Sequence, residues 1–114
     1  MIRLFNLTIK GYGCKHQDIR QCRDFGNWLI DFLDVHEIGH TGFNITGRIS
    51  GAKPGVTLTI TFLESHLALH TWPGENGFAY LEITSCKSFD DYAVGEQFKI
   101  FFEPLRIEAK YREV

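Results

Sequence analysis

Residues 64–73 read Glu-Ser-His-Leu-Ala-Leu-His-Thr-Trp-Pro, which sets a hydroxyl beside a carboxylate and two imidazoles. A serine turns nucleophilic when a strained or polarised carbonyl lies beside it and an acid/base stands near. Ser65 is the hydroxyl of that kind here, and it falls at the junction of two expected strands, a place that can hold strain. Taken alone, a serine–histidine pair is common strand decoration, and a lone histidine is a satisfied polar residue in most proteins. A second pattern is His36-Glu37-Ile38-Gly39-His40, the HExxH spacing that puts two imidazoles on one helix face for zinc. The longer metalloprotease form needs Gly and His three and six residues after the second His, where Phe43 and Thr46 stand. The motif also straddles an expected helix end and contains Gly39. His36 and His40 therefore read as surface residues at a helix C-terminus, and no metal is expected. Three cysteines, Cys14, Cys22 and Cys86, are an odd number without CxxC spacing, so neither a disulfide framework nor structural zinc is indicated. A lone Cys is usually a small buried hydrophobe, but one of the three is free to be a working thiol.

The elements that must position these groups follow from periodicity. Residues 2–12 alternate as a strand, with Phe5, Leu7 and Ile9 on one side. Asp18 with Gln21 looks like a capping box, and Ile19, Cys22, Phe25, Leu29, Phe32 and Leu33 predict an amphipathic helix over about 19–34. A weak strand is expected over 43–51, then a turn at 51–55 and the clearest strand of the chain over 56–62, where Thr57, Thr59 and Thr61 alternate with Leu58, Ile60 and Phe62. Strands over 66–72 and 78–84 flank the turn Pro73-Gly74-Glu75-Asn76-Gly77. Ser88 with Asp91 is read as the start of a second helix that uses Phe89, Tyr92, Ala93, Phe98, Phe101 and Phe102, and Pro104 stops it. A last strand, 105–111, sets Leu105, Ile107, Ala109 and Tyr111 on one side. The order is β-α-β-β-β-β-α-β. Two helices that each bury one stripe predict an α/β (α+β) two-layer sandwich, with both helices on one face of a largely antiparallel sheet.

Composition narrows the class. At 114 residues the chain is expected to be one domain, 1–114, large enough for a core without a metal or disulfide staple. A net charge of -2 with no basic stripe argues against nucleic acid. No apolar run reaches spanning length and residues 1–20 lack a signal peptide's apolar region, so no membrane partner and a cytoplasmic location are expected.

The core Glu64–Pro73 resembles the self-cleaving segment of prokaryotic-type S-adenosylmethionine decarboxylases, a pyruvoyl-dependent proenzyme family that reads E-S-H-hydrophobic-x-I-H-T-W-P-E. Gly55-Val56-Thr57 is similar to that family's G-V-S, Tyr80–Cys86 to its strand ending in Cys, and Gly11-Tyr12-Gly13-Cys14 to its F-Y-G-C. The resemblance spans the chain and implies cleavage between Glu64 and Ser65 into 1–64 and 65–114, with Ser65 becoming a covalent pyruvoyl group that forms a Schiff base with the substrate. It further implies that His70 is the processing acid/base, that Thr57 stands in for a processing serine and keeps its hydroxyl, and that Cys86 returns the proton to carbon. The implied activity is decarboxylation of S-adenosylmethionine for spermidine and polyamine biosynthesis, by a homodimer of processed protomers.

For the substrate, the resemblance names Tyr12 as a stacking ring, with Trp72 beside it, and a carboxylate after Trp-Pro for the ribose. Here the run is Trp72-Pro73-Gly74-Glu75, which displaces that carboxylate by one residue to Glu75. The second stacking aromatic falls on or near Gly51, and the acidic residue expected before Cys14 is Gly13. All three departures touch the substrate pocket and spare the cleavage residues. A related pyruvoyl enzyme acting on ornithine or arginine is the alternative, with Glu75, Glu37 or Asp18 to receive a basic side chain. A non-catalytic partner subunit is disfavoured because Ser65, His70 and Cys86 are all present.

Overall fold

The computed structural model describes residues 2–35, 40–48 and 54–114. The elements run β1 (Phe5–Tyr12), α1 (Ile19–Val35), β2 (His40–Arg48), β3 (Gly55–Phe62), β4 (His66–Trp72), β5 (Phe78–Ser85), α2 (Asp91–Phe102) and β6 (Arg106–Glu113). They match the expected order element for element. The strands form one sheet in the order β2-β3-β4-β5-β1-β6. Every neighbouring pair is antiparallel.

Alternation along the strands fixes what each face does. Leu7, Ile9, Leu58, Ile60, Leu67, Leu69, Leu81 and Ile83 are buried at 0–1% exposure and, through the register, share one face. Both helices cover that face. A Cβ on Gly26 of α1 would press on Leu58 at 2.9 Å, and one on Gly11 of β1 would press on Phe98 of α2 at 2.7 Å. The helices meet through Phe25, whose ring lies 5.9 Å from Phe98 and 5.2 Å from Phe102, both edge-on. The opposite sheet face carries Thr57, His70, Tyr80 and Lys10 in one cross-strand row. Among the described residues no helix covers it.

Four local expectations change. The weak strand, β2 at His40–Arg48, starts three residues before the expected 43, and the expected end over 49–51 lies outside the described residues. Asp18 does cap α1, accepting from the Gln21 N–H at 2.8 Å. The returning arm of the capping box is not made, because the Gln21 amide donates instead to the Phe101 carbonyl at 3.0 Å and ties α1 to the end of α2. The cap of α2 is Asp90 and not Ser88: the Asp90 carboxylate accepts from Ala93 N–H at 3.1 Å. Shifting the cap turns Val94, Gly95, Phe98 and Phe102 inward and leaves Tyr92 72% exposed. Finally, β6 opens at Arg106, so Leu105 belongs to the preceding turn and is 80% exposed.

Phe25 touches both helices and is fully buried. Phe25→Ala should cost about 3–5 kcal/mol, the range for large aromatic truncations in a core. Urea unfolding followed by circular dichroism checks it, and an unchanged midpoint would contradict this packing.

Candidate active site

Ser65 sits where the β3–β4 hairpin turns. Phe62 N–H donates to the Ser65 carbonyl at 2.9 Å, closing a tight turn around the exposed Leu63 and Glu64. Ser65 itself is buried. Its Oγ accepts a hydrogen bond of 2.9 Å from the Cys86 N–H, just beyond the end of β5. The register brings these together: His66 pairs with Thr84, so the start of β4 lies beside the end of β5. Ser85 steadies the turn, donating to the Lys87 carbonyl at 2.7 Å and accepting from Lys87 N–H at 3.1 Å. The Glu64–Ser65 bond is thus held in a turn, with the hydroxyl fixed by a backbone donor and the half-buried Cys86 alongside. Burial pushes the other two thiols up, Cys14 to about 11 and Cys22 to about 12, which keeps them protonated.

His70 and Thr57 meet elsewhere. They are paired across β3 and β4, and His70 Nδ1 shares a hydrogen bond of 3.1 Å with the Thr57 hydroxyl. The imidazole's pKa is lowered, first by burial and then by the charge of Arg48. Tyr80 faces His70 from β5, with its own phenol raised by burial and by Glu82. His70 lies five residues from Ser65 along an extended strand, a separation of about 16 Å. The fold therefore joins Ser65 to Cys86 and Thr57 to His70, but does not bring the two pairs together within one chain.

The expected substrate residues assemble at the His70 end. Tyr12, Trp72 and Glu75 line a cleft of about 940 Å³ together with Phe78. The Phe78 ring sits 5.5 Å from Tyr12 and 5.5 Å from Trp72, and His70 lies 5.7 Å from Trp72. The Arg106 guanidinium covers the Tyr12 ring at 3.9 Å and is neutralised by Glu108 at 2.9 Å. Glu75 is exposed at the rim, in the turn that follows Trp72. Phe78 is a lining residue that sequence reading missed, although counting back across the hairpin pairs it with Trp72. Asp18 is engaged as the cap of α1. His36, Glu37 and Gly51 lie outside the described residues; α1 ends at Val35 and His40 opens β2. Among the described residues no cluster of three or more metal-binding side chains occurs, and no helix is long and apolar enough to cross a membrane.

The family profile of S-adenosylmethionine decarboxylase matches residues 6–113, nearly the whole chain. The chain belongs to the S-adenosylmethionine decarboxylase family. That membership makes it a decarboxylase of a proenzyme family. It is 40% identical over 103 residues to an S-adenosylmethionine decarboxylase proenzyme of Archaeoglobus fulgidus, covering 86% of this chain and 82% of that one. A shorter match, 49% identical over 43 residues, is to an arginine decarboxylase proenzyme of Aeropyrum pernix and spans 38% of this chain and 32% of that protein. The fold is similar to the crystal structure of the adenosylmethionine decarboxylase from Aquifex aeolicus, with a TM-score of 0.76 at 15% identity over 97% of this chain and 89% of that one.

The family's two-layer sandwich thus leaves His70 on a sheet face that no helix among the described residues covers, with its proton affinity below the ordinary value of 6.5. A group whose folded pKa is depressed takes up fewer protons folded than unfolded just below its unfolded pKa. Its contribution to stability is then present above that value and is lost as pH falls through the folded one. The unfolding free energy of the parent should fall more steeply below about pH 6.5 than that of His70→Gln. Parallel slopes in urea titrations across pH 5–7 would remove His70 from this linkage.

Proposed function

We propose that this chain is a pyruvoyl-dependent S-adenosylmethionine decarboxylase that cleaves itself between Glu64 and Ser65 and works in the cytoplasm as a homodimer. The observation that carries the cleavage is the turn at residues 62–65, with the Ser65 hydroxyl pinned by the Cys86 N–H. Ser65 Oγ attacks the Glu64 carbonyl carbon. Its proton passes to an imidazole, and the peptide C–N bond breaks as the nitrogen is protonated, leaving an ester. Loss of the residue-65 α-proton then breaks the Cβ–O bond and frees residues 1–64 with a carboxylate at Glu64. Water displaces the nitrogen on residue 65 as ammonia, which leaves the pyruvoyl group at the head of 65–114. That group supplies an electron sink for decarboxylating an acid that carries an amine. The Cys86 thiol then returns a proton to the carbon that lost the carboxylate.

The separation of the two pairs supports the homodimer. Ser65 and Cys86 lie at one end of β4, and Thr57, His70 and the aromatic cleft lie toward the other. A two-fold contact lets each copy meet the other end of its partner, since such an interface places residue i on j and j on i. In that arrangement the imidazole that serves one Ser65 comes from the second copy, carried on the uncovered sheet face.

The cleft favours S-adenosylmethionine. Tyr12, Trp72 and Phe78 present ring faces and edges for a planar base, worth about 1–3 kcal/mol per stacked base. Glu75, exposed at the rim of the same cleft, is the carboxylate that would accept from ribose hydroxyls. The second reading, arginine or ornithine decarboxylation, rests on the 43-residue match to the arginine decarboxylase proenzyme. It would need Glu75 to hold a basic side chain, and Glu75 is solvated rather than enclosed.

Intact mass should give two fragments for the parent and one chain for Ser65→Ala. Processed enzyme should release carbon dioxide from S-adenosylmethionine and not from arginine, ornithine or lysine. Cys86→Ala should still be cleaved but turn over about 100-fold more slowly or worse, the scale of a lost general acid. Release only from a basic amino acid overturns the substrate, and full turnover in Cys86→Ala overturns the proton donor.

A further inference from the structure

Arg48 closes β2 beside Gly55 of β3, on the same sheet face as His70. Its guanidinium lies over the Trp72 ring at 5.0 Å, and Trp72 in turn lies 5.7 Å from the His70 ring. One Nη donates to the Thr71 carbonyl, the residue between His70 and Trp72. Gly55 is what leaves room for it, because a Cβ there would collide with Arg48 Nη2 and with the Thr71 carbonyl. Two features are costly for a residue that only packs. Arg48 Nε is buried with no hydrogen-bond partner, and no carboxylate among the described residues pairs with the guanidinium. An orphaned donor on a half-buried cation is unfavourable, and such costs persist where a site uses them.

We propose that Arg48 is the positioning residue for His70, clamping the β4 segment that carries the imidazole and laying an unpaired positive charge beside it, so that self-cleavage meets the ring as a base. The proposal deepens the reading of His70 as the processing acid/base and rests on it. A neutral ring can accept the Thr57 hydroxyl proton at Nδ1 and keep its own proton at Nε2; a protonated ring can only donate at both nitrogens. The groups that face His70 are few. From β3 comes Thr57, which does not titrate near neutral pH; from β5 comes Tyr80, followed by Glu82 two residues on; from β1 Lys10 stands opposite Tyr80. Within β4 the nearest titratable residue is His66, near the other end of the strand and 3.9 Å from Glu82. Burial lowers the proton affinity of His70, and the charge of Arg48 lowers it further.

The test uses the full chain carrying Ser65→Ala, which stays whole whether or not the parent is cleaved. Histidine-labelled protein is titrated by NMR, with His70→Gln identifying the His70 signal. With Arg48→Gln the His70 midpoint should move to higher pH, and with Arg48→Lys, which keeps the charge, it should stay closer to the parent. In chains with Ser65 intact, the acidic limb of the cleavage rate should move to higher pH in Arg48→Gln in the same sense. Identical His70 midpoints in the parent and Arg48→Gln overturn the proposal. Should Arg48→Gln fail to fold, Arg48→Lys decides: a parent-like midpoint with slower cleavage at its plateau supports the clamp, and parent-like cleavage at every pH overturns it. A parent that is never cleaved refutes the proposed function, while the NMR midpoints still report on Arg48.

Discussion

The register of β4 against its two neighbours is the constraint on which the site depends. Pairing His66 with Thr84 sets the start of β4 beside the end of β5, and that alone puts Cys86 N–H on Ser65 Oγ. Pairing Thr57 with His70 across β3 makes the hydroxyl–imidazole contact. Because side chains alternate faces, a slip of one residue would turn His70 into the helix-covered core and expose Leu69. The apolar row Leu58–Leu69–Leu81–Ile9, fully buried, resists that slip. Core packing and site geometry are therefore one specification.

The two pairs use different electrostatics. Around Ser65 the hydrogen-bonding groups are a backbone donor and a neighbouring hydroxyl that steadies the turn. Around His70 they are rings and a guanidinium, and burial together with the Arg48 charge lowers the imidazole's proton affinity. Keeping the pairs about 16 Å apart on one strand means that a lone chain holds the turn at Ser65 away from the imidazole. On the proposed reading, cleavage waits on assembly.

Much of this was legible in the sequence because it is written in short periods. Alternation over 56–62 and 66–72 located β3 and β4, and the helical spacing from Cys22 to Leu33 located α1. Ser65, His70 and Cys86 stood out as candidates through the resemblance of their segments, and Tyr12, Trp72 and Glu75 do share a cleft. What failed to show was set by long-range competition. Gln21 was claimed by the Phe101 carbonyl instead of its own helix start, and Asp90, a carboxylate two residues nearer the buried stripe, displaced Ser88 as cap. Arg48 gave no signal, since it closes a weakly patterned strand and acts through a ring 24 residues away. The distance between Ser65 and His70 was equally hidden, because five residues are close in a sequence and far apart on a strand.

The central claim, that one chain's hydroxyl is served by another chain's imidazole, is most directly tested by complementation. A Ser65→Ala chain keeps His70 but has no nucleophile, and a His70→Ala chain keeps Ser65 but has no imidazole. Each is expected to stay whole when purified alone. Unfolded together and refolded as a mixture, with a mass tag to tell them apart, the His70→Ala chain should be cut between Glu64 and Ser65 while its partner stays intact. A mixture in which the His70→Ala chain remains uncut, or a His70→Ala chain that cleaves by itself, would contradict the account.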